Sequence, residues 1–434
     1  MSIKTYQQKC LDCLDSSLKG LGVVAAHERI QDIAGLIVEA MTGRGRLFHT
    51  PDHIFQVGLG GDDIELISAL FHDTVYVQVD QGISNEIYAY LSPFIFELDG
   101  VIFITNHSEA LKDSSFSLCM MTFGFDLSQH LSPAAGQNEF LSALFAAKVM
   151  EDILPLPIMS QVISCIEATI PFRQSDGEEA SCSEQQYRNL KKINGAFGFD
   201  WSDSEIQKVV ERGVRLANSD IAGFASETPS HFLDDTWKLM PETSHNLLPV
   251  SICSIGAYRK ALQKMELFLS ALKAENIIRK YKNEPSNEKY THFISLTKRN
   301  LNIACSYLNI KLLASAVLEA ISLRHLKEDS SKVQNDELTP PNLFIADLEG
   351  PLFSVLDEEL LYLLEQKRSL ELGCDETTSQ IAIYALKLIG PKQVHSLSLA
   401  ARQFFSSELS AEDFLSRCPS DLINATRDLD NPFP

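Results

Sequence analysis

Apolar residues recur at steps of three and four along most of this chain, and this spacing limits its fold more than any other sequence feature. Clear examples are Leu11, Leu14, Leu18 and Leu21 near the start, and Leu262, Met265, Leu269 and Leu272 further on. Such spacing is typical of helices that bury one face. Segments with strand character are few, so the sequence predicts an all-α fold.

The length and composition of the chain predict several helical domains. At 434 residues, with 45% hydrophobic and 22% charged residues, we expect a globular protein of about two or three domains. A first helical domain is expected over residues 1–225, with an insertion at about 77–137. A helical extension at 226–326, a polar linker at 327–341 and a C-terminal helical region at 342–434 are expected to follow.

Some segments lack a clear helical pattern. Within the insertion, residues 94–96 and 101–104 fit either strands or buried helix, whereas 113–115 and 132–136 are predicted to be loops. Residues 174–184 are polar and acidic, and they are predicted to form another loop.

The charge balance excludes some classes of partner. With a formal net charge of −21, the chain does not have the basic character of a general nucleic-acid binder or of a protein that docks on anionic lipid. A local basic pocket for a phosphate group remains compatible with this balance.

Cysteine usage and the N-terminus indicate a cytoplasmic protein. The 9 cysteines have no framework spacing, and Cys10 and Cys13 are better explained as the buried stripe of a helix than as half of a zinc site. The first residues lack the apolar core of a signal peptide, and no apolar run approaches the roughly 20 residues that span a bilayer. We therefore expect reduced thiols, a cytoplasmic location and no membrane partner.

Histidine and aspartate are concentrated in two short segments. Of the 11 histidines, His49 and His53 lie about one helical turn apart, and His72 is joined to Asp73 at the end of an apolar helix. Asp220 ends a later apolar helix with small neighbours. Imidazole and carboxylate groups are ligands for Zn²⁺, Mn²⁺, iron or Mg²⁺. An isolated His-Asp pair is more often a surface or hydrogen-bonded pair, so only its combination with the helical context predicts a metal centre.

The residues around these positions resemble a known family. The stretch Arg46-x-Phe48-His49-Thr50-x-x-His53 is similar to the R-x-[YF]-H-[NT]-x-x-H signature of the predicted metal-dependent phosphohydrolases of the HD superfamily. Further pieces follow in the order of that family: Phe71–Tyr76 (F-H-D-x-V-Y), Asn138–Ala143 (N-E-x-x-S-A), Ile166–Thr169 (ending in A-T) and Asn218–Ile221 (the final aspartate). The resemblance covers about residues 25–225.

The resemblance implies an all-α HD-type helical bundle that holds a metal ion. Carried over residue by residue, it makes His53, His72, Asp73 and Asp220 the ligands. We prefer His53 to His49 as the first ligand because His53 lies inside the predicted helix. Such a site would act as a Lewis acid and activate a water molecule for attack on phosphorus.

Other residues receive roles from the same resemblance. Asp73, His49 and Glu139 are candidate catalytic residues, with Glu139 orienting the water, although a glutamate in such a position is more often a solvated helix residue. Arg46 and Arg173 are candidates to hold phosphate oxygens. The expected substrate is a phosphomonoester or a phosphodiester, with nucleotides among the candidates.

The chain departs from the family pattern in two places, and other functions stay open. The segment between Tyr76 and Asn138 is longer than in the family, and Ile170–Arg173 stands where histidines usually follow A-T. One alternative is a regulatory module that binds a protein partner or a second copy through its C-terminal helices. Another is a dinuclear iron oxygenase, which would need further ligands such as His107 and His130.

Overall fold

The structure, a computed structural model, describes residues 2–172, 181–247, 254–328 and 355–427. Over these residues the protein consists of helices joined by loops, together with a two-stranded β-hairpin. The predicted all-α class is confirmed.

Helices make up most of the described chain. They are α1 (Ile3–Gly20), α2 (His27–Met41), α3 (Pro51–Val57), α4 (Asp63–Phe71), α5 (Val77–Asp80), α6 (Asn85–Leu91), α7 (Ser114–Phe123), α8 (Gln137–Val149), α9 (Leu156–Ala168), α10 (Cys182–Phe197), α11 (Asp203–Asp220), α12 (Pro229–Thr243), α13 (Ile255–Ala271), α14 (Ala274–Ile277), α15 (Asn287–Glu328), α16 (Val355–Glu365), α17 (Asp375–Phe405), α18 (Ala411–Arg417) and α19 (Ser420–Arg427). The strands are β1 (Ile95–Leu98) and β2 (Val101–Ile104).

The chain divides into two compact units. The first comprises Met1–Ala225 and Lys273–Ser295, and the second comprises Ser226–Leu272 and Leu296–Pro434. The chain therefore leaves the first unit after Ala225 and returns to it for a short segment. The helical periodicity of the sequence does not indicate this return.

Helix α9 lies at the centre of the first unit. It packs against α4, α7, α8 and α11, and most of its residues are buried, as are those of α8. Both helices carry few charged residues, which explains why they occupy interior positions. Helix α1 packs against α2 and α4.

Charged side chains hold α11 against the start of α4. Asp62 and Glu65 form a capping box on α4, and both face arginines of α11. Arg215 donates hydrogen bonds of 2.8 and 3.2 Å to Glu65, while Arg212 pairs with Asp62. The carboxylate of Glu65 is almost fully buried, and burying its charge without a cationic partner would cost free energy of folding. These ion pairs set the position of α11 along α4.

A glycine allows α11 to approach α9 closely. A Cβ atom at Gly213 would lie 2.9 Å from the Cβ of Ala168 and 3.3 Å from the side chain of Gln186. Contacts this short require the neighbours to shift, so the observed spacing of the two helices needs glycine at this position.

The predicted insertion has its own small hairpin. β1 and β2 pair in antiparallel register, with Ile95 opposite Ile104 and Leu98 opposite Val101. The turn between them is Asp99-Gly100, with φ angles of 52° and 75°. An Asp-Gly pair favours this two-residue turn because both residues adopt positive φ. The strand alternative for these segments is therefore correct.

Two of the predicted loops are partly wrong. Residues 113–115 start helix α7, because the side chain of Asp113 accepts a hydrogen bond from the main-chain nitrogen of Phe116 and acts as its N-cap. The end of the predicted loop 174–184 belongs to α10, which Ser181 caps. In both places a serine- or aspartate-rich stretch is a helix cap, because these side chains satisfy the first free amides of a helix. Residues 132–136 hold only a short 3₁₀ turn, Pro133–Ala135.

Helix α15 is apolar enough to require a comparison with membrane helices. By length and composition alone, Asn287–Arg324 could cross a membrane, but 78% of its most apolar window is buried inside the protein. The expectation that no apolar stretch is long enough to span a bilayer is wrong for this helix. Lys311 is the only charged residue between Leu301 and Leu318. That lysine is fully buried and lies 2.6 Å from the carboxylate of Asp375, as fits a core helix of the second unit.

Two predicted segments extend beyond the described residues. The predicted linker 327–341 begins inside α15, which continues to Glu328, and its other residues lie outside the described part of the chain. In the predicted C-terminal region, residues 355–427 are mainly helical, with a kink at Gly390-Pro391 within α17.

We expect Gly213→Ala to destabilise the first unit. The added methyl group gains helix propensity, but it collides with Ala168, and overpacking of this kind costs about 1–3 kcal/mol. Gly195→Ala in α10 is the matched control, because no atom lies within 4 Å of its Cβ position, and it should be neutral or raise stability by up to ~1 kcal/mol. Urea unfolding combined with hydrogen exchange of α9 and α11 measures the difference. Equal stability of the two variants would contradict close packing at Gly213.

Candidate metal centre

Side chains that are distant in sequence meet at one point in the first unit. His53 lies in α3, His72 forms the C-terminal cap of α4 with Asp73 next to it, and Asp220 is the last residue of α11. One ligand atom of each lies within 4.8 Å of the others. These are the four predicted metal ligands, and the fold brings them together.

The closest contacts in this cluster alternate between imidazole and carboxylate. Nε2 of His53 lies 3.4 Å from Oδ2 of Asp73 and 3.1 Å from Oδ1 of Asp220. Nε2 of His72 lies 3.0 and 3.3 Å from the same two oxygens. Separations of this size are expected between neighbouring ligands that share one cation through bonds of about 2.0–2.2 Å.

The orientation of His72 is typical of a metal ligand. Its Nδ1 lies 2.8 Å from the carbonyl oxygen of Ala69, so Nδ1 carries the proton and donates it. Nε2 then directs its lone pair into the cluster. This buried atom makes no well-directed hydrogen bond to any described residue, although two carboxylate oxygens lie close to it. Metal-binding histidines commonly have one nitrogen fixed on a main-chain carbonyl in this way.

Opposite charges stabilise each other in the cluster. Burial lowers the pKa of His53, but hydrogen bonds and attraction to Asp220 and Asp73 raise it to about 9. The pKa of His72 is raised against burial by the same carboxylates. Burial raises the pKa of Asp220, yet the two imidazoles lower it to about 2. Protons on the imidazoles or a divalent cation can therefore neutralise the buried carboxylates, and cation binding requires neutral imidazoles.

The donor set fits a divalent metal ion. It consists of two imidazole nitrogens and two carboxylate oxygens. Imidazole favours Zn²⁺ or iron, whereas Mg²⁺ and Mn²⁺ are suited to oxygen ligands, so the mixed donor set is compatible with each of them. Among the residues that the structure describes, no second group of His, Cys, Asp or Glu side chains converges in this manner.

Neighbouring residues hold α3 against α11 and α4. The hydroxyl of Ser219 donates a hydrogen bond of 2.7 Å to the carbonyl of Val57, which joins the residue before Asp220 to the end of α3. Gly58 follows α3, and a Cβ there would lie 2.6 Å from Cδ1 of Leu66 in α4. These contacts position His53 between the other two helices.

The N-E-x-x-S-A motif supports the chain that follows His72-Asp73. Asn138 accepts a hydrogen bond of 3.1 Å from the main-chain nitrogen of Val77, and Ser142 accepts one of 3.0 Å from that of Val75. The Asn and Ser of this motif are thus positioning residues. Glu139 is partly buried between them in α8, and its predicted part in orienting water stays a prediction.

Arg46 is a buried anchor beside the cluster. Its Nε and Nη2 donate hydrogen bonds of 2.9 and 2.6 Å to Asp80, and Nη1 donates one of 2.8 Å to the main-chain carbonyl of Asp73. Its side chain is fully buried. This geometry favours a positioning role over the predicted contact with phosphate. Sequence reasoning missed Asp80, because the family motif ends before it.

His49 lies beside the cluster rather than within it. Its Nε2 is 4.0 Å from Oδ2 of Asp73, and its ring meets that of Tyr76 edge to face with centroids 4.6 Å apart. The preference for His53 as the ligand agrees with this geometry, because the Nε2 atom of His53 approaches both carboxylates more closely.

Two sequence candidates are not brought to the cluster, and a third cannot be placed. Arg173 lies outside the described residues. His107 and His130 are exposed, and neither belongs to the convergent group. A second metal ion therefore gains no support from the described part of the chain.

We expect the loss of one ligand to abolish stable metal binding. Wild-type protein loaded with Mn²⁺ or Zn²⁺ and then desalted should retain about one ion per chain, because four donors converge on one position. His72→Ala and Asp220→Asn should retain a small fraction of that amount. His27→Ala, at an exposed histidine that starts α2, is the matched control and should bind as the wild type does. Mass-spectrometric metal analysis gives the readout, and undiminished metal in folded His72→Ala would contradict the assignment.

No protein-family model, curated protein or solved structure matches this chain. Membership of the HD superfamily, which the motifs predict, stays a prediction. Support for a metal centre comes from the convergence of its side chains and from the orientation of His72.

Proposed function

We propose that this protein is a metal-dependent phosphohydrolase that acts on a phosphomonoester or a phosphodiester, with nucleotides among the candidate substrates. The observation that carries the proposal is the convergence of His53, His72, Asp73 and Asp220, with His72 held in the tautomer that a ligand needs. The same donor set is what the resemblance to HD phosphohydrolases implies.

Each member of the cluster has a distinct part in this proposal. A bound divalent cation supplies charge that polarises a phosphoryl oxygen and makes a nearby water more acidic. Burial raises the pKa values of Asp73 and Asp220, but the protonated imidazoles lower them, so both carboxylates are ionised before a cation binds. The carbonyl of Ala69 keeps the proton of His72 on Nδ1 and leaves Nε2 free to coordinate.

His49 is the described residue best placed to transfer a proton. Its Nε2 lies 4.0 Å from the Asp73 carboxylate, and its ring is held by Phe48 and Tyr76, with centroids 4.9 and 4.6 Å away. During hydrolysis, the oxygen of water bonds to phosphorus while the bond from phosphorus to the ester oxygen breaks. Protonated His49 can give its proton to the leaving oxygen, and the proton that the water loses can then restore it.

We also propose a cytoplasmic location and a protein partner or second copy for the C-terminal helices. No disulfide bond joins the described cysteines to one another, which suits a reducing compartment. In the second unit Leu267, Tyr362 and Leu399 expose more than half of their surface, and apolar residues of this kind can support an interface.

Variants should separate metal binding from catalysis. In a screen of nucleotides, p-nitrophenyl phosphate and bis-p-nitrophenyl phosphate with Mn²⁺, Zn²⁺, Fe²⁺ or Mg²⁺, His72→Ala should lose both bound metal and hydrolysis. His49→Gln should keep its metal but lose about 10²–10⁴-fold in kcat, the usual contribution of a proton-transfer group. His27→Ala should match the wild type in both respects.

Other outcomes would favour the alternative functions. If wild-type protein that carries its metal hydrolyses none of these esters, the phosphohydrolase proposal is wrong, and a regulatory or protein-binding module becomes the better explanation. Two irons per chain together with oxygen consumption would indicate a dinuclear oxygenase instead.

A further inference from the structure

We propose that Arg279 binds the phosphoryl oxygens of the substrate at the edge of the metal centre. Arg279 lies in the segment 273–295 that returns to the first unit, outside the part of the chain that resembles the HD family. The inference rests on the proposed phosphohydrolase function and names the group that recognises the transferred anion.

The main chain of Arg279 is fixed next to the last turn of α11. Its amide donates a hydrogen bond of 2.8 Å to Oδ1 of Asn218, and its carbonyl accepts one of 2.9 Å from Nδ2 of the same side chain. Asn218 is two residues before the ligand Asp220. A pair of hydrogen bonds from one amide side chain determines the position of Arg279 closely.

The side chain of Arg279 extends to the end of α9. Its Nη2 donates a hydrogen bond to the carbonyl of Ile170, just beyond the C-terminal cap of that helix. Ala168 at the end of α9 packs on Gly213, about two helical turns before the end of α11. The rings of Phe172 and Phe224, which follow the two helices, meet at 5.8 Å.

The same packing places Asp220 towards this end of α9. Asp220 follows Gly213 by about two helical turns and therefore lies on the same face of α11. That face carries the contact with Ala168, two residues before Ile170. The guanidinium of Arg279 therefore lies at the end of α9 that packs on the face of α11 carrying Asp220.

The guanidinium of Arg279 keeps donors for a ligand. It is partly buried, and apart from the bond to Ile170 its side chain contacts no described acceptor; no described carboxylate pairs with it. In a chain with a net charge of −21, acidic residues outnumber basic ones, so an arginine without a carboxylate partner is unexpected. A planar guanidinium can bind two phosphate oxygens at once, so Nε and Nη1 can serve a phosphoryl group.

The other arginines of the first unit are less suited to this role. Those with carboxylate partners are Arg29, Arg46, Arg212 and Arg215. Arg44 and Arg188 are exposed at the surface, and Arg173 lies outside the described residues. Among the described arginines of this unit, Arg279 alone combines partial burial with a free guanidinium edge.

Titration with inorganic phosphate tests the inference without relying on turnover. Calorimetry of the Mn²⁺-loaded protein should show that Arg279→Gln weakens phosphate binding by about 10- to 100-fold, as expected for the loss of charge-assisted hydrogen bonds. Arg279→Lys should recover part of the affinity. Lys280→Gln is the matched control, because it removes the same charge from the next residue, and it should stay within about 2-fold of the wild type.

The design separates a substrate contact from a structural one. The bonds to Asn218 use the main chain of residue 279, so they survive the substitution, and metal content and urea unfolding should stay close to wild type. Unchanged phosphate affinity in Arg279→Gln, equal weakening by Lys280→Gln, or no phosphate binding by the wild type would each overturn the inference.

Kinetics distinguish this inference from the proposed function. With a hydrolysed ester, Arg279→Gln should raise KM more than it lowers kcat. If esters are hydrolysed and KM does not change, the inference fails while the function stands. If the wild type hydrolyses nothing but loses phosphate affinity on substitution, the anion site stands and the hydrolase proposal fails.

Discussion

The pairing of Asp73 and Asp220 with His53 and His72 is the constraint on which the first unit depends. Two largely buried carboxylates side by side are tolerated only when positive charge lies beside them, and here imidazoles from α3 and α4 provide it or receive a cation in its place. The ends of α4 and α11 and the first turn of α3 must therefore be held together. Most polar contacts near the cluster contribute to that positioning: Arg46 holds the carbonyl of Asp73, and Ser219 joins α11 to α3.

The family-like segments contain positioning residues as well as candidate ligands. Of the residues in the segments that resemble the HD family, only some point into the His-Asp cluster. Arg46, Asn138 and Ser142 instead bind main-chain atoms of the segment that carries or follows the candidate ligands. Their side chains fix the backbone, and the backbone fixes the metal ligands. A substitution at such a position would act through geometry, even though the residue never touches a substrate.

The class of fold and the set of candidate ligands could be predicted from the sequence, because helical spacing and the rarity of histidine are local signals. The role of Arg46 could not be predicted from the sequence, since it depends on Asp80, a partner that only the folded chain reveals. Helix α10 was missed at its start because Ser181 and its polar neighbours suit a cap as well as a loop. The return of residues 273–295 to the first unit carries no local signal in the sequence.

The return of residues 273–295 to the first unit affects when this unit can fold during translation. The first unit is discontinuous in sequence, with residues 226–272 inserted between its two parts. A nascent chain that has emerged as far as Ala225 holds the four candidate ligands but lacks the main chain of Arg279, which satisfies Asn218 next to Asp220. On the ribosome, the end of α11 would have to wait for translation of the 54 residues from 226 to Arg279, which takes several seconds at the usual rate of elongation. The candidate metal centre would therefore mature later than its position in the gene suggests.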